Sequence, residues 1–284
     1  MTSEINIARL PDRGVVAVTG PDALPLLQGL LTNDTGLLGT MPAIHAGLLS
    51  PQGKILFDFL VAKTADGVLL DVVHERAADL VKRLTLYKLR ADVAIRDVSN
   101  DHAVLAAFGP GARLDAGFAF PDPRLADLGW RAIVATGEAG AATTPDSAYH
   151  AHRIGLGVPE GGRDFAFGDA YPHEALFDQL HGVSFTKGCY VGQEIVSRME
   201  HRGTARKRIV PVMAETELRT GTPVTAGGIE IGAIGSVAGV RGLALLRLDR
   251  AEEAAAKGVA LMAAETSVRI ALPAWARFKA AAQP

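Results

Sequence analysis

The sequence predicts an α+β chain of more than one domain that ends in a small β-barrel. Three observations predict it. A chain of 284 residues is long for one domain at about 150 residues each. Residues 44 to 98 read in the order strand, turn, strand, helix, strand, and from Ile209 onward short apolar runs alternate with glycine turns. Hydrophobic residues at 48% and charged residues at 21% fit a folded globular protein and exclude a disordered one.

Val15 to Thr19 is a β-branched run closed by Gly20-Pro21, a strand followed by a turn. Asp22 can cap a helix through about Gly29, with Leu24, Leu27 and Leu31 at helical spacing. Ser50-Pro51-Gln52-Gly53 is a turn signal before a strand over Lys54 to Ala62, and Ala65-Asp66-Gly67 turns into the strand Val68 to Val73. Glu75 to Leu84 has a helical pattern with Leu80, Val81 and Leu84 on one face; strands follow at Val93 to Val98 and Ala103 to Phe108. This order suggests an α+β sandwich and not a βαβ repeat. The barrel strands are Ile209 to Met213, Ile229 to Ile234, Leu243 to Leu248 and Ser267 to Ile270. A boundary near residue 203 precedes them. The polar stretch containing Arg198, Arg202, Arg206, Lys207 and Arg208 reads as a solvated linker face, or else as a hold on an anionic tail or acidic partner.

Charge and cysteine narrow the chemistry. Lys and Arg number 29 against 31 Asp and Glu, a net charge of -2, which gives no reason to expect nucleic-acid or membrane-surface binding. The one cysteine, Cys189, excludes an internal disulfide, a Cys-rich zinc site and a self-contained iron–sulfur site. Met1 to Leu10 has no apolar signal core and no run approaches the ~18 apolar residues of a membrane span, so the expected location is cytoplasmic. Gly155, Gly157, Gly161 and Gly162 have the wrong spacing for a dinucleotide or phosphate loop.

The densest run of unusual residues is Phe185-Thr-Lys187-Gly-Cys189-Tyr190-Val-Gly192-Gln193-Glu194. Gly188 permits a sharp turn, and a helix from Gln193 to Met199 places Cys189 near its N-terminus. The helix dipole and the Lys187 ammonium would favour a thiolate, able to act as nucleophile, redox group or metal ligand. None of the eight histidines sits in a Cys–His hydrolase signature. His150 and His152 would share a strand face, which without a third ligand is weak evidence for a metal.

The segment Lys187 to Glu194 resembles the signature of the YgfZ-type folate-binding proteins, in the superfamily of the glycine-cleavage T-protein. Leu27-Gln28-Gly29-x-x-Thr32-Asn33-Asp34, Ser50 to Lys54, Leu86-Tyr87-Lys88-Leu89-Arg90 and Arg153-x-x-x-Gly157-x-Pro159 match the same family. The resemblance implies three domains in a ring: a discontinuous folate-binding domain (1–42 and 140–202), a ferredoxin-like insert (43–139) and the barrel (203–284). It implies tetrahydrofolate as ligand, near Asn33, Asp34, Tyr149 and Arg153, and a role in assembly or repair of iron–sulfur clusters in client proteins. Cys189 and Lys187 would carry the chemistry and Gly188, Tyr190, Gly192, Gln193 and Glu194 would shape it, with no metal bound tightly by the chain alone. The related aminomethyltransferases carry an acid two places after the arginine, where this chain has Gly155. A one-carbon transferase, with Asp79 as its candidate acid or base, is therefore the alternative, followed by a folate-binding regulator without chemistry.

Overall fold

The computed structural model describes residues 5–202 and 205–278. The chain forms two units, Met1–Tyr149 with Leu180–Glu194 and His150–Gln179 with Ile195–Pro284. Gly203 and Thr204, where the sequence places the boundary before the barrel, lie outside the described residues.

The first unit runs β1 (Asn6–Arg9), β2 (Arg13–Thr19), α1 (Ala23–Gln28), β3 (Ala43–Leu49), β4 (Ile55–Lys63) and β5 (Gly67–Val73). It continues with α2 (Ala77–Lys88), β6 (Ala94–Asp97), β7 (His102–Phe108), β8 (Phe118–Pro121) and β9 (Trp130–Ala135). Two further helices, α3 (Asp146–Leu156) and α4 (Gln193–Arg202), begin in this unit and end in the second. Five strands form one antiparallel sheet in the order β3-β4-β5-β2-β6, and four form another, β1-β7-β9-β8. Ala103–Phe108 is thus a strand, as expected, but it leaves the sheet of its predecessors and pairs with β1, Ile7 opposite Ala107.

The two-residue side-chain period explains the layering. On the five-stranded sheet, Val16, Val18, Phe57, Phe59, Val61, Val68, Leu70 and Val72 face one way and meet Leu27 of α1 and Leu80 and Leu84 of α2. Their neighbours Val15, Ala17, Leu60, Ala62 and Leu69 face the other way and meet Val104, Ala106, Phe108 and Ile133 of the four-stranded sheet. Both faces being covered, the strands read as nearly continuous apolar runs.

The interior parity also carries charge. Asp71, fully buried, shares the inter-sheet face with Leu69 and accepts from Arg13 Nε at 2.6 Å and Arg131 Nη1 at 3.2 Å. Asp122 accepts twice from the Arg124 guanidinium, at 3.0 and 2.7 Å, and once from its backbone N at 3.1 Å. Beside them, the Tyr149 hydroxyl receives Arg131 Nη2 at 2.6 Å and Arg124 Nη2 at 3.2 Å. Arg124 and Arg131 hold the Asp122 carboxyl down at about 2 against the opposing effect of its burial.

The second unit contains β10 (Lys207–Ala214), β11 (Pro223–Ala226), β12 (Ile229–Ala238), β13 (Arg241–Arg247), α5 (Leu248–Ala256), β14 (Leu261–Ala263) and β15 (Thr266–Ile270). The six strands close into a barrel in the order β10-β13-β12-β11-β14-β15, with β15 returning to β10. The four expected runs all lie in it, while the short β11 and β14 complete the closure. Val210, Val212, Val224, Ile234, Leu246 and Val268 fill the interior, with Leu248, Ala251 and Ala254 of α5 packed on it. Closure removes the sheet edges that would otherwise pair with other chains.

Two expectations need correction here. His150 and His152 lie on helix α3, not on a strand; two positions apart on a helix point about 200° from each other, so the pair shares no face. Arg208 is not solvated. It is buried and donates bidentately to Asp178 at 2.9 and 2.9 Å and to His173 O at 2.9 Å, because its place on β10 turns it into the unit.

Candidate functional site

In the first unit, three motifs far apart in sequence come together around the segment that holds Cys189. The first follows α1. Asp34 Oδ1 accepts from Gly36 N at 2.9 Å, capping a short 3-10 turn, and from Gln28 Nε2 at 3.0 Å, while Gln28 Oε1 accepts from Thr35 N and Oγ1, both at 2.8 Å. Asp34 therefore works as a local cap. Thr32 donates to Gly182 O at 2.6 Å and accepts from Gly47 N at 2.8 Å; Asn33 donates to His45 O at 2.8 Å and His181 O at 2.7 Å. His45, buried, donates from Nδ1 to Leu180 O at 3.0 Å, and burial pushes its pKa down to about 3. These bonds fasten the segment at 180–184 to β3 and the turn after α1.

Lys187 makes the next connection. Its Nζ donates to the carbonyls of Gln28 at 2.7 Å, Leu31 at 2.8 Å and Asn33 at 2.9 Å. An ammonium has three donors, and all three are used on backbone. Burial pushes it down to about 8, with the Asp34 carboxylate pulling the other way. Its charge lies 5.3 Å from the Tyr190 ring centroid, and burial pushes the Tyr190 phenol up to about 12.

The third motif meets Gly192. Its φ of +83° is in the left-handed region, and a methyl there would lie 2.5 Å from Ser50 O and 3.1 Å from Gly53 Cα. Only glycine fits both demands. Gly188, by contrast, is exposed, with open space at its Cα and no such backbone requirement. Gln193 opens α4 and accepts from Tyr190 N at 2.9 Å through Oε1, which leaves its Nε2 4.0 Å from Cys189 Sγ. Cys189 is exposed, four residues before that helix, next in sequence but one to a lysine whose donors are directed elsewhere. Phe185, 45% exposed, and Glu194, exposed, complete the segment.

The other residues singled out from the sequence are distributed differently. Tyr149 is 1% exposed between the sheets, edge-on to Phe108 with ring centroids 5.8 Å apart. Arg153, also 1% exposed, belongs to the second unit. There it donates to Asp164 Oδ2 at 2.8 Å, Val158 O at 3.1 Å, His150 Nδ1 at 3.1 Å and Ser236 Oγ at 2.7 Å. Asp79 stands in the first turn of α2, where the helix dipole favours an acid, between Arg76 at 3.8 Å and Lys82 at 3.4 Å. The buried arginine cluster was not found from sequence, although its signal was present: a lone Asp71 inside Gly67–Val73 and a lone Arg131 inside Trp130–Ala135, since charges within apolar strands need partners.

Comparison with known proteins agrees with this division of the chain. Residues 11–116 match the family described as the GCVT N-terminal domain, and residues 206–278 match the CAF17 C-terminal beta-barrel domain. The human iron–sulfur cluster assembly factor IBA57, mitochondrial, is 37% identical over 273 residues, covering 84% of this chain and 76% of the human protein. The chain belongs to the IBA57 family of iron–sulfur cluster assembly factors. The IBA57 homologue of Mycosarcoma maydis is 38% identical over 232 residues, covering 74% of this chain; the chain spans 58% of that relative. The fold is that of the glycine cleavage system aminomethyltransferase T of Bartonella henselae, with a TM-score of 0.75, 15% identity and coverage of 95% of this chain and 85% of that one. The expected superfamily thus stands, with IBA57 and not YgfZ as the family within it. The expected cytoplasmic location does not stand, because the IBA57 relatives are named as mitochondrial proteins. Mitochondrial targeting segments are amphipathic and need no apolar signal core.

Proposed function

We propose that this chain assists the assembly of iron–sulfur clusters in client proteins and that Cys189 is the thiol it works with. The observation that carries the reading is the way the thiol is presented. It is the one cysteine of the chain, exposed on a segment whose neighbours are fixed by Lys187, Gly192 and Gln193, in a family named for cluster assembly. A single thiolate leaves the other ligands of any cluster it touches to a client, a partner or a small thiol, which suits a passing cargo. Lys187 and Gly192 act as positioning residues in this reading; Cys189 is the group that meets the cargo.

Tetrahydrofolate is the ligand that the YgfZ resemblance implies. Most polar atoms of the residues proposed for it have partners within the protein. Asn33 Nδ2 is bonded to His45 O and His181 O, Asp34 Oδ1 to Gly36 N and Gln28 Nε2, the Tyr149 hydroxyl to two arginines, and the Arg153 guanidinium to Asp164, Val158, His150 and Ser236.

The test is restoration of a cluster-dependent enzyme in a strain lacking the chain's own gene. The unsubstituted chain is expected to restore it, and Cys189→Ala, at equal abundance and with an unchanged melting temperature, is expected not to. Full restoration by the variant overturns the role of the thiol.

A further inference from the structure

The motif Leu86-Tyr87-Lys88-Leu89-Arg90 is left unused by the proposed function. Helix α2 buries Leu80 and Leu84 and half-buries Val81 and Tyr87 against the first unit's core. At 100° per residue the opposite face carries Lys82, Arg83 and Leu86. Leu86 is 71% exposed, and Leu89, which ends the helix, is 88% exposed.

The backbone under Leu89 is as unusual as its exposure. It has φ 47° and ψ -108°, and Ala91 N donates to Lys88 O across it at 2.8 Å. Those are the marks of the second position of a type II′ turn, where glycine is the usual occupant. A chain that needed only the turn would place glycine here; leucine adds backbone strain and exposed apolar surface together. Strain of this kind persists where a side chain is wanted for another purpose. Cations outnumber acids around Leu89, the exposed Asp92 and the Asp22 carboxylate bonded to the Asp92 amide being the nearby acids. Asp79, the acid of this helix, faces Arg76 and Lys82, and among the described residues Arg83, Lys88 and Arg90 make no ion pair.

We propose that the end of α2 is a docking surface for a protein partner that presents an apolar pocket rimmed by carboxylates. Leu86 and Leu89 enter the pocket, and Arg83, Lys88 and Arg90 meet the rim. Charge complementarity commits the surface to an acidic partner and speeds encounter with it, while two leucines held by a helix end and a tight turn fit a shaped pocket better than a fluid bilayer. The proposal rests on the assembly-factor reading, which requires protein partners.

The experiment places a photo-crosslinking amino acid at position 86 of the full chain in living cells. The expected result is a covalent adduct to a protein, with the crosslinked peptide rich in Asp or Glu and apolar residues. Arg83→Glu with Arg90→Glu is expected to reduce that adduct at least tenfold, and the captured protein, once purified, to bind the charge-reversed chain at least tenfold more weakly. An adduct to lipid only, to a second copy of the chain or to a peptide without acids overturns the proposal, as does the absence of an adduct. In the restoration assay, Leu86→Ser with Leu89→Gly is expected to fail while keeping a normal fold and thiol alkylation rate. Restoration by that variant while Cys189→Ala fails sinks the docking surface and leaves the function standing; failure of the unsubstituted chain sinks the function and leaves the adduct to be judged by itself.

Discussion

The Cys189 segment and the arginine cluster between the two sheets use polar side chains to opposite ends. Around Cys189 every donor of Lys187 is spent on backbone, and the result is an exposed thiol on a fixed segment. Between the sheets Arg13, Arg124 and Arg131 are spent on Asp71, Asp122 and Tyr149, and the result is a locked interior that offers nothing to solvent. Charged residues in a motif are therefore not by themselves reactive residues. What remains available after the internal bonds are made is the better guide, and in the segment around Lys187 that includes the thiol.

The comparison can be broken most forcefully at Asp71. Asp71→Ala leaves Arg13 and Arg131 buried without their carboxylate and is expected to lower stability by about 3–5 kcal/mol in a urea titration; a loss below about 1 kcal/mol would show that the cluster does not lock the sheets. Acid is the next probe. His45 has a folded pKa of about 3 against 6.5 in an open chain, so between those values the unfolded state takes up a proton that the folded state refuses. Its contribution to stability is complete above pH 6.5 and declines as pH falls toward 3, by up to about 1.4 kcal/mol per unit. His45→Gln, which keeps an N–H for Leu180 O, should flatten that limb, and an unchanged profile would assign the acid sensitivity elsewhere.

Smaller effects are expected at the two turns. Lys187→Met leaves the carbonyls of Gln28, Leu31 and Asn33 without their donor, a loss of about 1–2 kcal/mol. Hydrogen exchange should quicken across residues 28–36 and 182–192 while the amides of β7 and β9 stay protected; uniform quickening would mean that the clamp is global and not local. Leu89→Gly should raise stability by about 1 kcal/mol in the same titration, because glycine tolerates the positive φ, and a fall would contradict the strain assigned to that turn.

Much of the first unit was legible because its strands announce themselves. β2, β4, β5 and α2 lie close to their expected places, and the glycine turns of the barrel mark four of its six strands. What was hidden depends on partners distant in sequence. Ile7 pairs with Ala107, and nothing local in either run specifies that meeting. The site shows the same division. The rare cysteine marked the right segment, but Lys187 was read as a neighbour of the thiol when its acceptors are backbone carbonyls 154, 156 and 159 residues away. Every residue has a carbonyl, so no side-chain pattern could reveal them. The sequence points to Gly188 for the sharp turn, whereas the positive φ and the close approach of Ser50 and Gly53 are at Gly192.

Because the chain has one cysteine and that cysteine is exposed, the central claim can be tested without a substitution. The purified native protein is treated with N-ethylmaleimide, checked by mass for a single adduct and for an unchanged melting temperature, and added to an extract depleted of the chain. Untreated protein should restore the cluster-dependent enzyme in that extract and the alkylated protein should not. Equal restoration by the two would show that the thiol is not what this chain contributes.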